Sequence, residues 1–148
     1  MTVIAWDGKM MAADKRTTFG GLHGVTTKVH RLPDGGLLGC SGNAAQIAEI
    51  VHWFISGADP RKLPTAQLDP KECVSALVIR ADGAVLHYEN TAYPIQLENR
   101  SWAIGSGRDF AIAAMHLGRD ARQAVVLACE LDITCGNGVD VMELDPCR

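Results

Sequence analysis

The chain has 148 residues, 47% of them hydrophobic and 21% charged, with a formal net charge of −3. That length suits one domain able to bury a core without staples, so residues 1–148 are expected to form a single domain. No basic run points to nucleic acid, and the apolar opening Val3-Ile4-Ala5-Trp6 stops at Asp7, too short for a signal peptide or a membrane span, so a cytoplasmic location is expected.

In chain order, the first elements are β. Residues 2–6 and 9–13 are short apolar runs joined at Asp7-Gly8, a hairpin dipeptide. The glycine-rich stretch 20–24 leads to a strand expected over 25–32. A turn at Pro33-Asp34-Gly35-Gly36 precedes a strand over 37–41. The period then changes: Ala44, Ile47, Ile50, Val51 and Phe54 fall at helical spacing behind Asn43, a natural N-cap. Three prolines in 57–70 mark a connecting loop. Strands follow at 75–80 and 85–89 around Asp82-Gly83, and a short one at 102–104. Gly105-Ser106-Gly107 opens a helix carrying Phe110, Ala111, Ala114 and Met115; a second helix covers 121–131; Asn137-Gly138 turns into a last strand, 139–144. This order fits an α+β domain in which two antiparallel sheets lie between helical layers.

Cysteine and histidine usage narrows the chemistry. Cys40, Cys73, Cys129, Cys135 and Cys147 are odd in number with no CxxC pair, and the five histidines form no HxH or HxxxH pair. Neither a disulfide framework, a metal site nor any cofactor is expected. Gly105-x-Gly107 lacks the third glycine of a dinucleotide loop. Trp6, Trp53 and Trp102 read as core anchors, and His30 and His52 as surface or core polar residues.

Five segments carry more. GKMMAADKR (8–16) resembles the proteasome β-subunit pattern in which A-A-D-x-R ends the second strand, and TKVHRL (27–32) resembles the lysine-led strand that follows it. LLGCSGNAAQ (37–46) resembles the strand-to-helix junction whose glycine donates the oxyanion-hole N–H. AIGSGRDFAIAA (103–114) resembles the G-S-G helix start of HslV-like subunits, and ELDITCG (130–136) sits where that family has an aspartate followed three residues later by serine and glycine. All five occur in family order, and together they span most of the chain. The chain thus resembles the proteasome β-subunit and HslV family of N-terminal nucleophile (Ntn) hydrolases, which implies a four-layer αββα sandwich of two antiparallel sheets.

What the resemblance implies is a threonine-type endopeptidase acting on unfolded polypeptide. In that chemistry a threonine Oγ attacks the substrate carbonyl and its own free α-amine is the general base, so the threonine must be the first residue of the mature chain. Thr2, next to Met1, becomes that residue once Met1 is removed. The resemblance assigns Asp14 to orienting the site, Lys28 to favouring the deprotonated nucleophile by its charge, and the Gly42 N–H to the oxyanion. Ser106, Asp132 and Cys135 would surround the amine. The family also implies self-association, with rings possible, and an ATP-dependent unfoldase as partner.

The chain departs from the family pattern in three places. Cys135 stands where a serine is usual and would hydrogen-bond more weakly. The stretch 57–73 is too short for the second helix of its layer, so one helical layer should be reduced. The first hairpin also admits a second register, with Met1 rather than Thr2 at the nucleophile position. Plainer roles exist as well: Ser106 as a simple N-cap, Cys135 as a small buried hydrophobe, Arg16 pairing with an internal carboxylate. Two other functions stay open, a non-catalytic chain that keeps the fold for assembly or binding, and an Ntn amidohydrolase acting on a small amide.

Overall fold

The computed structural model describes residues 1–145; Cys147 therefore lies outside the described residues. The elements are β1 (Val3–Trp6), β2 (Met10–Asp14), β3 (Arg16–Phe19), β4 (Leu22–Val25), β5 (Val29–Arg31), β6 (Leu37–Ser41), α1 (Ala44–Ile55), β7 (Ser75–Ile79), β8 (Val85–Tyr88), β9 (Ile95–Leu97), β10 (Trp102–Gly105), α2 (Arg108–His116), α3 (Ala121–Leu131) and β11 (Val139–Glu143). One sheet has the order β10-β1-β2-β11 and a second the order β5-β6-β7-β8-β9, with every pairing antiparallel.

Alternation of side chains across β1 and β2 explains the layering, because successive residues point to opposite faces. Ile4, Trp6, Met11 and Ala13 face the second sheet and pack there with Val29, Leu37, Leu77 and Ile79. Val3, Ala5 and Ala12 face the other way and meet Ala111, Ala114, Ala124, Val125 and Ala128 of α2 and α3. Both faces of these strands are therefore buried, which is why they read as continuous apolar runs rather than alternating ones. Small alanines on the α2–α3 side let two helices lie close over one four-stranded sheet. The outer face of the second sheet is covered by Ile50, Trp53 and Phe54 of α1, which pack on Leu38, Cys40, Ala76 and Val78. The result is the expected four-layer α+β sandwich of two antiparallel sheets.

Turn and cap chemistry behaves as its residues dictate. Asn43 Oδ1 accepts from the backbone N–H groups of Ala45 and Gln46, and Asp120 caps α3 in a reciprocal capping box with Gln123. In place of a second helix over the five-stranded sheet, residues 57–73 form two short 3-10 turns, Pro60–Lys62 and Thr65–Leu68. Gln67 pins them down: its amide donates to the Val74 and Glu89 carbonyls and accepts from Val74 N–H. That layer is accordingly reduced to α1 and these turns.

Three expectations change. The strand expected over 25–32 is two pieces. Val25 pairs with Arg16 in a separate β3–β4 hairpin turned at Gly20-Gly21, and β5 begins only at Val29. Of the glycine-rich stretch, Gly20 and Gly21 make the turn and Gly24 lies within β4, and the hairpin's strands have no apolar alternation because Phe19, Leu22 and Val25 are all exposed. The three-residue edge strand β9 also carried no pattern long enough to see. Ser106 is not the helix cap either: Gly107 holds that position in α2, without a side-chain bond.

Candidate active site

The site forms where β1 begins. β1 pairs with β10 in a register that sets Val3 opposite Gly105, so the residues just outside the pairing, Thr2 and Ser106, face one another. Gly105 has φ +96°, and a Cβ there would collide with the Thr2 carbonyl. Only glycine lets the two chains approach so closely at this point. Across the G-S-G segment the Gly107 N–H donates to Thr2 O (3.1 Å). The Ser106 hydroxyl lies 3.3 Å from the same carbonyl, and its Oγ accepts from Thr2 N–H at 3.2 Å.

On the other side of Thr2 lies a buried ion pair. Asp14 ends β2 and is 0% exposed; Lys28, the residue before β5, is 7% exposed. Lys28 Nζ donates to Asp14 Oδ1 (2.8 Å), to Thr2 Oγ1 (3.0 Å) and to the Met1 carbonyl (3.3 Å). Asp14 accepts in addition from Val3 N–H on Oδ1 and from the Arg16 and Gly136 N–H groups on Oδ2. A buried carboxylate survives only when paired and fully hydrogen-bonded, and four donors meet that condition here. All three ammonium protons of Lys28 likewise have acceptors.

Beyond Ser106 the chain leaving α3 closes the site. Asp132, the C-cap of α3, accepts from the Thr134 hydroxyl at 2.6 Å and the Thr134 N–H at 2.9 Å on Oδ1, and from Cys135 Sγ at 3.5 Å on Oδ2. The hydrogen bond from the Thr134 hydroxyl, foremost, holds the Asp132 carboxyl down at about 2. Burial pushes the Cys135 thiol up to about 11, so it stays protonated and is no nucleophile near neutral pH. Ser106 Oγ lies 3.3 Å from Thr134 Oγ1 and 3.9 Å from Cys135 Sγ.

Gly42 follows β6 with φ +142°, and together with Ser41, Asn43, Thr2, Lys28, Arg16 and Thr17 it lines a cavity of about 440 Å³. A second cavity of about 650 Å³, lined by His87, Trp102, Arg108 and Ser106 among others, meets the first at Ser41 and Gly42. Among the described residues no group of three His, Cys, Asp or Glu side chains stands as metal ligands would.

Of the positions named from the sequence, Lys28 touches both Thr2 and Asp14, Ser106 touches Thr2, Asp132 and Cys135 lie behind Ser106, and Gly42 shares the cavity of Thr2. Arg16 departs from expectation. Among the described residues its guanidinium meets no carboxylate but donates to the Ile133 carbonyl and Asn137 Oδ1, tying the 133–137 turn to the β3 start. Thr134 is the site residue that sequence reasoning missed. A hydroxyl next to an expected serine that is absent was the available signal.

No family model matches the chain, and no curated protein matches it. Solved structures do. BPH from Thiobacillus denitrificans superposes with a TM-score of 0.72 at 22% identity, covering 99% of this chain and 100% of that one. The same protein in complex with epoxomicin gives 0.74 at 21%, with the same coverage. Eukaryotic HslV from Trypanosoma brucei gives 0.68 at 23%, covering 98% of this chain and 99% of that one. At such identities the likeness establishes the fold, an HslV and proteasome-type Ntn sandwich.

Proposed function

We propose that this chain is a threonine-type peptidase subunit that cleaves unfolded polypeptides with Thr2 as its N-terminal nucleophile, in a cytoplasmic setting. The observation that carries the reading is the buried contact of Lys28 Nζ with both Thr2 Oγ1 (3.0 Å) and Asp14 Oδ1 (2.8 Å). A buried ammonium needs an acceptor for every proton, and here one acceptor is a hydroxyl that, as a nucleophile, gains from a cation stabilising the negative charge that grows on its oxygen. With Met1 attached, the Thr2 nitrogen is an amide and cannot act as a base. Hydrolysis of the Met1–Thr2 bond turns it into an amine and frees the Lys28 proton that now meets the Met1 carbonyl.

The amine then takes the Thr2 hydroxyl proton as Oγ bonds to the substrate carbonyl carbon. The oxyanion forms beside the Gly42 N–H, a kind of donor worth about 3 kcal/mol in hydrolases. As the tetrahedral species collapses, the C–N bond breaks and the leaving nitrogen takes the proton from the Thr2 ammonium. Water, deprotonated by the same amine, releases the acyl group from Oγ. The two cavities that meet at Ser41 and Gly42 give an extended chain room on both sides of the scissile bond. Related-fold neighbours support the polypeptide as substrate; self-association of subunits, with an ATP-dependent unfoldase as feeder, belongs to the same proposal.

An epoxyketone tests it, because that reagent closes its ring only on a free α-amine beside a hydroxyl. A chain starting at Thr2 gains the reagent's mass; Thr2→Ala does not, Thr2→Ser does, and a chain keeping Met1 stays unlabelled although folded. In light scattering the labelled sample exceeds the 15.9 kDa of one chain. Absence of labelling on a chain proven to start at Thr2 defeats the peptidase reading in favour of a retired scaffold, a reading that Cys135 in place of a hydroxyl residue otherwise favours. Turnover of small amides but not of peptides would mark an amidohydrolase instead.

A further inference from the structure

Resting on the peptidase reading, we infer that Thr134 is the positioning residue of the Thr2 amine, completing a one-way hydrogen-bond chain from that nitrogen through Ser106 to the Asp132 carboxylate. Donor and acceptor counts give the direction. An ionised carboxylate only accepts, so at 2.6 Å the single Thr134 proton points at Asp132 Oδ1. Thr134 Oγ1 is then left with lone pairs alone, and toward Ser106, 3.3 Å away, it can only accept. Ser106 accepts from Thr2 N–H. Its own proton, shared between the Thr2 carbonyl and Thr134, runs outward from the amine. When the Ser106 proton is on Thr134 rather than on the Thr2 carbonyl, the donors along Thr2 N, Ser106 Oγ and Thr134 Oγ1 lead to one negative charge.

Cys135 offers a parallel route of lower quality. Sγ is 3.9 Å from Ser106 Oγ and 3.5 Å from Asp132 Oδ2, and a thiol is a weak donor and a weak acceptor. The hydroxyl beside it makes the shorter contact at each end. The chain matters when the amine has taken the Thr2 hydroxyl proton and is an ammonium, because a polarised series ending on a carboxylate stabilises that charge. The charged groups around the amine are Lys28, Asp14 and Arg16 on its β2–β5 side and Asp132 behind Ser106, with the neutral Cys135 thiol beside it. Arg108 and Asp109 stand along the cavity that Ser106 borders. Lys28 disfavours the ammonium and Asp14 favours it; Asp132 adds to the favourable side, and Thr134 makes the shorter of the two contacts that join it to Ser106.

The test uses the full chain with Thr2 exposed, read by epoxyketone labelling rate against pH and by NMR titration of isotope-labelled Thr2. Thr134→Val should slow labelling about tenfold, the scale of one hydrogen bond to a charged group. It should also shift the acid limb of the profile and the amine titration to lower pH by about one unit, since the ammonium loses support. Thr134→Ser should restore both. Should Thr134→Val fail to fold, Thr134→Ala, which keeps the backbone N–H to Asp132, carries the same outcomes. Unlabelled wild type sinks the peptidase reading itself. Labelled wild type with an unchanged rate and profile in the Thr134 variant overturns only the role of Thr134, and a shift in Cys135→Ala alone assigns the route to the thiol.

Discussion

The two sides of Thr2 are built on opposite terms. On the Lys28–Asp14 side both charges are out of water, and every polar atom of the pair has a partner, mostly backbone N–H groups of β1, the β2–β3 junction and the 133–137 turn. On the Ser106–Asp132 side the carboxylate stands partly in solvent and its contacts are the Thr134 hydroxyl and N–H and the Cys135 thiol. The first side has one way to be satisfied and the second has several. Burial therefore makes Asp14 and Lys28 inseparable from the fold, whereas the half-exposed Asp132 and Thr134 have water as an alternative partner and only Cys135 on this side is buried.

The sharpest way to break the comparison is to remove the two carboxylates in turn. Asp14→Ala strands a buried ammonium and three N–H groups, and should cost about 3–5 kcal/mol of stability. Asp132→Ala should cost under about 1 kcal/mol, since Asp132 and its main partner Thr134 stand partly in solvent. Urea denaturation of both variants measures the difference; equal costs would show that burial is not what separates the two sides.

A smaller effect is expected from Cys135→Ser. A hydroxyl makes a stronger bond to Ser106 and Asp132 than the thiol does, so labelling should quicken a few-fold while stability changes by no more than about 1 kcal/mol. If the serine variant labels more slowly, the thiol packs in a way the hydroxyl cannot reproduce.

The smallest effect is on pH dependence. The Thr134 hydrogen bond holds folded Asp132 at about 2, against an ordinary 3.8. The folded state binds that proton more weakly than the unfolded one. Its contribution is complete above about pH 4 and is lost as pH falls through about 2. Asp132→Asn should flatten the fall in stability across that window, and a melting series at pH 2–5 that superposes on wild type would count against it.

How much of this was legible without the tertiary structure varies by residue, for physical reasons. The two-sided burial of β1 and β2 is written in their uninterrupted apolar runs, and the helical period of α1 and its Asn43 cap are local facts, so the layers follow from the chain itself. Asp14, Lys28, Gly42 and Ser106 stand in short motifs, and in the G-S-G segment around Ser106 close backbone approach constrains the residue type, as Gly105 shows against the Thr2 carbonyl. The β3–β4 hairpin escaped because its strands bury little and so carry no pattern. Packing alone decided the rest. Arg16 found a carbonyl and an amide because the 133–137 turn arrives beside it from 117–121 positions away. Thr134 received its place because a hydroxyl proton has to choose among acceptors that only the closed turn brings within reach. Sequence determines which groups are present and which faces they share; the direction of a hydrogen bond between distant segments exists only once the layers have closed.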